Sequence, residues 1–269
     1  MEKVVFADGW DEYFAGKGMQ GFSDFYDYSS GGGLVNKNSR RNVRRLEFAG
    51  DGGRAFYMKR FDRPHLKDTF FAFANYGRLM SQAQLEWENA RLLLANGIDT
   101  YKPVCYGHRL VCGLERMSFL VTEELPGQCL TDFVAGRWSE LDRGEKERII
   151  AEIGAFVWKI HEAKVRMPDL YVWHIFLTEK TEDKGECKYD LAVIDLHRMS
   201  HNVTSDGSRI EDLGRLHHSM RAEYFTNELK RLLIESYACA GGIDNIAELV
   251  AKVEKKSQAV LAKRRVLSY

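Results

Sequence analysis

The residue types that phosphoryl transfer requires occur in a suitable order along this chain. The reaction needs the phosphates positioned, their charge neutralised by a divalent cation, and a hydroxyl group oriented in line with the bond that breaks. Lys59 lies in the strand-like segment FYMKRF and can hold phosphate, while Glu86 lies in the next helix-like segment and can pair with it. Asp169 stands five positions before His174, and Asp195 ends the apolar segment LAVID. A carboxylate for the hydroxyl group and two ligands for the cation are therefore available.

Each of these residues also has an ordinary structural interpretation. A lysine on a strand is commonly a solvated edge residue, and a histidine beside Trp173 is commonly a satisfied core residue. An aspartate at the end of an apolar strand commonly forms a turn. The prediction of phosphoryl transfer therefore depends on the order of the set: strand lysine, helix glutamate, long helix, Asp-x-x-x-x-His, hairpin and a strand that ends in aspartate.

The elements of the first 125 or so residues predict a small antiparallel sheet with one main helix behind an aromatic amino-terminal arm. The segment NVRRLEFAGDGGRAFYMKRF reads as two strands joined by a turn at Gly50 to Gly53. Ser81 and Gln84 form a capping box in front of a helix that Asn96-Gly97 ends. VCYGHRLVC and MSFLVTEEL have the β-branched and aromatic content of strands.

Helices predominate after Pro126. Ser139 is predicted to begin a long helix, and the segments at 169–179 and 189–199 are predicted to pair as a hairpin. Helices are then expected from Asp212 to Tyr224, from Asn227 to Ala240 and from Asp244 onward. The sequence therefore predicts an α+β, bilobal protein-kinase-like fold. Residues 1–125 form its β-rich N-lobe with one regulatory-type helix, and residues 126–269 form its helical C-lobe with the catalytic loop and the metal-binding aspartate.

The composition excludes several other classes of protein. Lys and Arg together number 39, as do Asp and Glu, so the chain has no net positive charge to attract nucleic acid. Five cysteines are scattered without a CxxC pair, which is typical of reduced thiols in the cytosol. No apolar run approaches the roughly 18 to 20 residues that span a bilayer, and the first residues form no signal-peptide core. We therefore expect a cytoplasmic protein without a nucleic acid partner.

Four segments resemble the lipopolysaccharide kinase (Kdo/WaaP) family, and its heptose-kinase branch in particular. These segments are QLEWENARLLLANGI, SFLVTEEL, DLYVWHIFL and VIDLHR. Members of that family phosphorylate sugars of the lipopolysaccharide inner core in Gram-negative bacteria. The resemblance implies a kinase that uses ATP with Mg²⁺ or Mn²⁺ and takes a heptose or Kdo hydroxyl as acceptor.

The resemblance also implies a role for each matching residue. Asp169 would be the catalytic base, His174 and Asp195 would bind the metal, and Asp212 and His161 would support the catalytic loop. The residues implied in nucleotide binding are Lys59, Glu86, Glu123, Leu125, Arg40 and Arg41. The two arginines lie where a glycine-rich loop is expected, because G-x-G-x-x-G is absent from the chain.

Two departures from the family pattern leave alternatives open. Met167-Pro168 precede Asp169 where the family has His-Arg, and the glycine-rich loop is missing. A phosphotransferase for another small hydroxyl acceptor and a nucleotide-binding pseudokinase therefore remain as alternatives. Only sixteen residues separate Asp195 from Asp212, too few for a peptide-binding activation segment, which favours a small or sugar acceptor.

The carboxy-terminal segment KKSQAVLAKRR has two interpretations. Its lysines and arginines could hold the protein against the anionic cytoplasmic face of the inner membrane. A solvated terminal helix is the more common structure for such a segment, because it has few large apolar side chains to insert.

Overall fold

The computed structural model describes residues 1–28, 34–37, 40–48, 50, 52–181 and 187–261. The chain divides into two compact units. The first unit contains Met1–Ala95 and Thr100–Leu125, and the second contains Asn96–Asp99 and the residues from Pro126 onward.

The first unit is built on a six-stranded antiparallel sheet. Its strands, in the order β1-β5-β6-β4-β3-β2 across the sheet, are β1 (Glu2–Phe6), β2 (Leu34–Lys37), β3 (Arg41–Glu47), β4 (Ala55–Asp62), β5 (Pro103–Val111) and β6 (Leu114–Glu123). The predicted hairpin is confirmed as β3 and β4. Lys59 lies in the middle of the sheet, opposite Val43 on β3 and Leu120 on β6.

Four helices accompany the sheet in the described part of this unit. They are α1 (Trp10–Ala15), α2 (Phe22–Tyr26), α3 (Leu66–Tyr76) and α4 (Gln82–Ala95). The main helix predicted after Ser81 is confirmed as α4, whereas α3 was not predicted. The aromatic arm forms β1, α1 and α2, because its rings bury against the sheet: Phe14 and Phe25 are fully buried, and Phe25 stacks on Phe119 with ring centroids 5.0 Å apart.

The second unit is mainly helical. Its helices are α5 (Leu130–Arg137), α6 (Arg143–Glu162), α7 (Asp206–Ser219), α8 (Asn227–Ala240) and α9 (Ile246–Leu261). A small antiparallel sheet joins β7 (Gln128–Cys129), β8 (Ile175–Thr181) and β9 (Cys187–Val193) in that order. Short 3₁₀ turns at Val172–His174 and Leu196–Arg198 precede β8 and follow β9. The predicted hairpin is confirmed as β8 and β9, but its strands are shorter than the predicted segments: residues 169–174 and 194–199 lie in loops and 3₁₀ turns. The helices predicted at 227–240 and after 244 are confirmed.

Two predicted helix starts are wrong. The long helix begins at Arg143 rather than at Ser139, because Asp142 is its N-cap and Glu145 completes a capping box with it. The Asp142 carboxylate accepts from the Glu145 amide at 2.8 Å, and the Glu145 carboxylate accepts from the Asp142 amide at 3.2 Å.

The helix predicted to begin at Asp212 starts six residues earlier, at Asp206, and ends at Ser219 rather than at Tyr224. The segment Ser205-Asp206-Gly207-Ser208 resembles a turn in sequence but forms the first turn of α7. Asp212 therefore lies in the interior of this helix, where its side chain is fully buried.

None of the helices within the described ranges is both long enough and apolar enough to cross a membrane.

Candidate active site

In the first unit, Lys59 and Glu86 form a buried ion pair. The Lys59 Nζ atom lies 2.6 Å from Glu86 Oε1, and the side chains are 14% and 1% exposed. Tyr101 donates to the second carboxylate oxygen of Glu86 at 3.1 Å. Because a buried carboxylate is costly without partners, the pair and the tyrosine together fix the Glu86 side chain. The lysine and glutamate predicted to act together are thus in direct contact.

The other residues predicted to bind nucleotide lie on the same unit. Glu123 ends β6, where its amide donates to the Lys102 carbonyl at 2.9 Å, and Leu125 follows two residues later. Arg41 begins β3 opposite Phe61. Arg40 donates from Nη1 to the Arg63 carbonyl at 2.9 Å. Two residues of the predicted phosphate loop, Asn38 and Ser39, lie outside the described residues.

In the second unit, Asp169 lies in a loop between α6 and the first 3₁₀ turn. Its side chain is buried, and both carboxylate oxygens accept from the guanidinium group of Arg198. This hydrogen bonding raises the pKa of Arg198 above its usual value. The fork of the guanidinium group matches the two oxygens of a carboxylate, so the contact fixes the orientation of the Asp169 side chain.

His174 connects Asp169 with Asp195. The His174 Nδ1 atom lies 2.7 Å from the Asp169 carbonyl oxygen, which can only accept, so Nδ1 carries the hydrogen. In the neutral ring the lone pair is therefore on Nε2, which lies 3.8 Å from Asp195 Oδ2. The second oxygen of Asp195, Oδ1, lies 3.1 Å from Nδ1 of His197. The carboxylate and the imidazole lone pair thus face each other at a separation suited to binding one cation.

Asp195 has a left-handed backbone conformation, with φ of 63° and ψ of 63°. Few residues other than glycine adopt this region, although aspartate and asparagine are enriched in it. Such backbone strain occurs often at functional sites, where the surrounding structure holds it. It directs the chain out of β9 into the Leu196–Arg198 turn, which carries the arginine that contacts Asp169.

Asp212 contacts the start of the Asp169 loop. Its Oδ2 atom accepts from the Met167 amide at 2.7 Å, and its Oδ1 atom accepts from Arg215 at 3.2 Å. His161 is also buried, with Nε2 3.7 Å from Asp212 Oδ2 and Nδ1 2.9 Å from the Tyr237 hydroxyl. Both residues predicted to support the catalytic loop therefore lie beside it.

Several residues of this arrangement were not identified from the sequence. Arg198 is the most important, because it supplies a guanidinium group to Asp169 although Met167-Pro168 stand where an arginine was expected. One indication of this contact is present in the sequence. The arginine expected just before Asp169 is absent, and a different arginine, Arg198, stands three positions after Asp195. His197, which contacts Asp195, lies with Arg198 in the segment VIDLHR that carries the family resemblance, but neither residue was assigned a role from the sequence. Tyr101, which contacts Glu86, carried no signal in the sequence beyond its residue type.

The chain matches the model of the lipopolysaccharide kinase (Kdo/WaaP) family over residues 32–237. It is 30% identical over 149 residues to the lipopolysaccharide core heptose(I) kinase WaaP of Escherichia coli K12, an alignment that covers 54% of this chain and 56% of that protein. With the WaaP of Pseudomonas aeruginosa PAO1 it shares 27% identity over 190 residues, or 68% of this chain and 70% of that protein. The chain thus spans little more than half the length of the E. coli relative.

Two solved structures show the same fold. WaaP in complex with acyl carrier protein superposes with a TM-score of 0.70 at 24% identity, covering 96% of this chain and 99% of that one. The Rio2 kinase–ADP/Mg²⁺–phosphoaspartate complex from Chaetomium thermophilum superposes with a TM-score of 0.51 at 10% identity, covering 88% and 72%. The predicted α+β, protein-kinase-like fold is confirmed.

Proposed function

Because the chain belongs to the lipopolysaccharide kinase (Kdo/WaaP) family, we propose that it transfers the γ-phosphate of ATP to a sugar hydroxyl of the lipopolysaccharide inner core, most directly a heptose. The observation that carries this proposal is the linked group in the second unit. Asp169 is oriented by Arg198, and His174 contacts the Asp169 carbonyl while its other nitrogen faces Asp195. A base and a pair of cation ligands held by one set of bonds are the parts that phosphoryl transfer needs.

In this proposal Asp169 is the catalytic base. Its carboxylate would accept a hydrogen bond from the sugar hydroxyl and orient the oxygen toward the phosphorus atom. Arg198 would act in place of the arginine that the family carries before this aspartate, by holding the carboxylate in one orientation. The departure at Met167-Pro168 is then compatible with activity.

Asp195 and His174 would hold Mg²⁺ or Mn²⁺. Their fit to a cation is supported by the hydrogen on His174 Nδ1, which leaves the lone pair on Nε2, 3.8 Å from the Asp195 carboxylate. An imidazole nitrogen is a less usual ligand than oxygen for either ion, so the His174–Asp195 pair does not distinguish magnesium from manganese. When bound, the cation would neutralise charge on the phosphates.

Lys59 would contact the phosphates of ATP, with Glu86 holding its side chain in place. Arg40 and Arg41 would add positive charge near the phosphates, and Glu123 with Leu125 would contact the nucleotide at the end of β6. These assignments follow the order of the residues along the family's fold.

The acceptor and partners follow from the relatives. The relatives' names specify a heptose of the lipopolysaccharide core, and the similar structure contains an acyl carrier protein, which we include as a candidate protein partner. A cytoplasmic location with peripheral contact to the inner membrane is consistent with a lipid-linked acceptor. The basic segment proposed for that contact ends in Lys263, Arg264 and Arg265, which lie outside the described residues.

The test is transfer of labelled γ-phosphate from ATP to lipopolysaccharide inner core that lacks heptose phosphate. We expect label in the glycan with the parent protein and none with Asp169→Asn. The control is Asp190→Asn, which replaces a partly exposed aspartate paired with Lys180 and should transfer as the parent does.

Other outcomes of the same assay identify the alternatives. Transfer to an aminoglycoside or choline but not to the glycan would make the protein a phosphotransferase for another small hydroxyl compound. ATP binding without transfer to any acceptor would make it a pseudokinase.

A further inference from the structure

The amino terminus of α4 depends on the sheet for its hydrogen bonds. The first amides of a helix have no partners within the helix, and they are commonly satisfied by side chains just before it. Here Ser81 accepts from the Gln84 amide at 3.2 Å, which satisfies one of them. The first turn of α4 contains no acidic residue that could satisfy others or complement the helix dipole.

Two further amides are satisfied from strand β6. The Gln82 amide donates to Glu115 Oε2 at 2.8 Å, and the Ala83 amide donates to Ser118 Oγ at 3.3 Å. The Ser118 hydroxyl in turn donates to Glu115 Oε1, so the two side chains form one continuous group. These residues stand 33 and 35 positions after the amides that they contact. The contact is therefore a tertiary attachment of the helix to the sheet.

Burying the Glu115 carboxyl group costs free energy, because it removes the group from water. Ser118 is fully buried, and although Glu115 is partly exposed as a residue, burial of its carboxyl group raises the pKa to about 7. The bonds from Ser118 and from the Gln82 amide oppose this rise but do not cancel it. The attachment is thus made by a group that prefers to be hydrated.

This attachment is one of three connections that link α4, β6 and β4: hydrogen bonds join α4 to β6, β6 pairs with β4, and the Lys59–Glu86 ion pair joins β4 to α4. Strand β6 pairs with β4, where Leu120 stands opposite Lys59 and Ser118 opposite Phe61. Gln82 lies one helical turn before Glu86, and both are buried on the same side of α4. A shift of the start of α4 would therefore move Glu86 relative to Lys59, whose strand β4 is paired with β6.

We propose that Glu115, with Ser118, is a positioning residue for phosphoryl transfer, because it attaches α4 to β6 and thereby sets the distance between Glu86 and Lys59. This inference rests on the proposed function for its catalytic consequence. The effect of Glu115 on ATP binding through Lys59 can be measured separately, in the absence of the sugar acceptor.

The test compares ATP affinity and the kinetic constants of Glu115→Ala and Glu115→Gln. The alanine variant loses the acceptor for the Gln82 amide, and we expect it to weaken ATP binding roughly tenfold, which is about the effect of losing one hydrogen bond. The glutamine variant keeps an oxygen acceptor and should stay within about twofold of the parent. Asp142→Ala removes the N-cap of α6 and is the matched control, expected to lower stability without changing ATP affinity.

A double-mutant cycle separates positioning from general destabilisation. If Glu115 acts through Glu86, Glu115→Ala should have no further effect on ATP affinity in a Glu86→Ala background. An undiminished effect in that background, or parental affinity in a folded Glu115→Ala protein, would overturn the inference. Ser118→Ala carries the same cycle if Glu115→Ala does not fold.

Failure of the proposed function has a different signature. It would be seen as absence of phosphate transfer by the parent protein, while the effect of Glu115 on ATP binding and its dependence on Glu86 would still be measured.

Discussion

Removing the carboxylate of Asp212 should release the loop that carries Asp169. Asp212 is fully buried, and its two oxygens accept from the Met167 amide at 2.7 Å and from Arg215 at 3.2 Å. Met167 stands two residues before Asp169, so the bond to its amide attaches α7 to this loop, beside the ion pair between Arg166 and Glu211 of α7. Substitution Asp212→Ala deletes the acceptor without adding bulk.

The size of the effect follows from these contacts. The Met167 amide would be left buried without a partner, and Arg166 and Arg215 would lose the negative charge that they face at 3.8 and 3.2 Å. Removing one member of a buried charged network costs roughly 3–5 kcal/mol, of which about 1–3 kcal/mol is due to a stranded donor. Asp212→Asn keeps an oxygen acceptor for the amide and should cost about half as much.

Hydrogen exchange at the Met167 amide measures this locally. A loss of 3–5 kcal/mol in the free energy of local opening lowers its protection by about two to four orders of magnitude. The matched control is Asp206→Ala in the first turn of the same helix, where an 86% exposed carboxylate contacts Arg209. It should cost under about 1 kcal/mol and leave the Met167 amide protected.

Unchanged exchange at Met167 in Asp212→Ala, within about threefold of the parent, would refute this reasoning. Equal loss of protection in Asp212→Ala and Asp206→Ala would instead show that the stability of α7 as a whole, and not the bond to Met167, protects the loop.

Three further perturbations test separate parts of the structure. Gly154→Ala places a Cβ atom 2.6 Å from the Leu233 carbonyl oxygen where α6 crosses α8, so urea unfolding should show a loss of about 1–3 kcal/mol. The control Gly136→Ala in α5 meets no atom within 4 Å and should instead gain up to about 1 kcal/mol, because alanine favours the helix more than glycine does. Burial raises the pKa of Glu115 from 4.5 to about 7, so the folded protein holds this proton more tightly than the unfolded chain and loses stability as the pH rises through that range. Relative to the parent, Glu115→Gln should therefore gain up to about 2 kcal/mol in unfolding free energy between pH 5 and pH 8, and a constant difference would contradict the shift. Arg198→Lys replaces the bidentate contact with Asp169 by a single ammonium group, and we expect kcat to fall by about tenfold with KM for ATP nearly unchanged. A parental kcat in this variant would show that Arg198 does not position Asp169 for transfer.

Local patterns in the sequence were sufficient to predict the elements with strong periodicity. The spacing of Ala83, Trp87 and Ala90 identified α4, and Asn227 to Ala240 was correct at both ends. The pairing of Lys59 with Glu86 was predicted from their order on a strand and the following helix, and the ion pair is present at 2.6 Å. These features depend on residues close together in the chain or on a common order of elements.

The features that were missed depend on competing local signals or on tertiary contacts. Ser139 and Asp142 are both good N-caps, and only the glutamate three residues after Asp142 decides between them. The turn-like residues at Asp206-Gly207 concealed the start of α7.

Contacts between distant segments could not be derived from either segment alone. Arg198 reaches Asp169 across 29 residues, and Glu115 accepts from an amide 33 residues earlier. Neither pairing has a sequence spacing that local rules describe.

Phosphorus NMR of lipopolysaccharide inner core, after incubation with ATP, magnesium and either the parent protein or Asp169→Asn, tests directly whether the protein phosphorylates a heptose through Asp169. We expect a phosphate monoester on a heptose with the parent protein and no such signal with the variant, although the variant should bind ATP as the parent does. A heptose phosphate formed equally well by Asp169→Asn would contradict the assignment of Asp169 as the base. Its absence with the parent protein, in the presence of measurable ATP binding, would contradict the proposed activity.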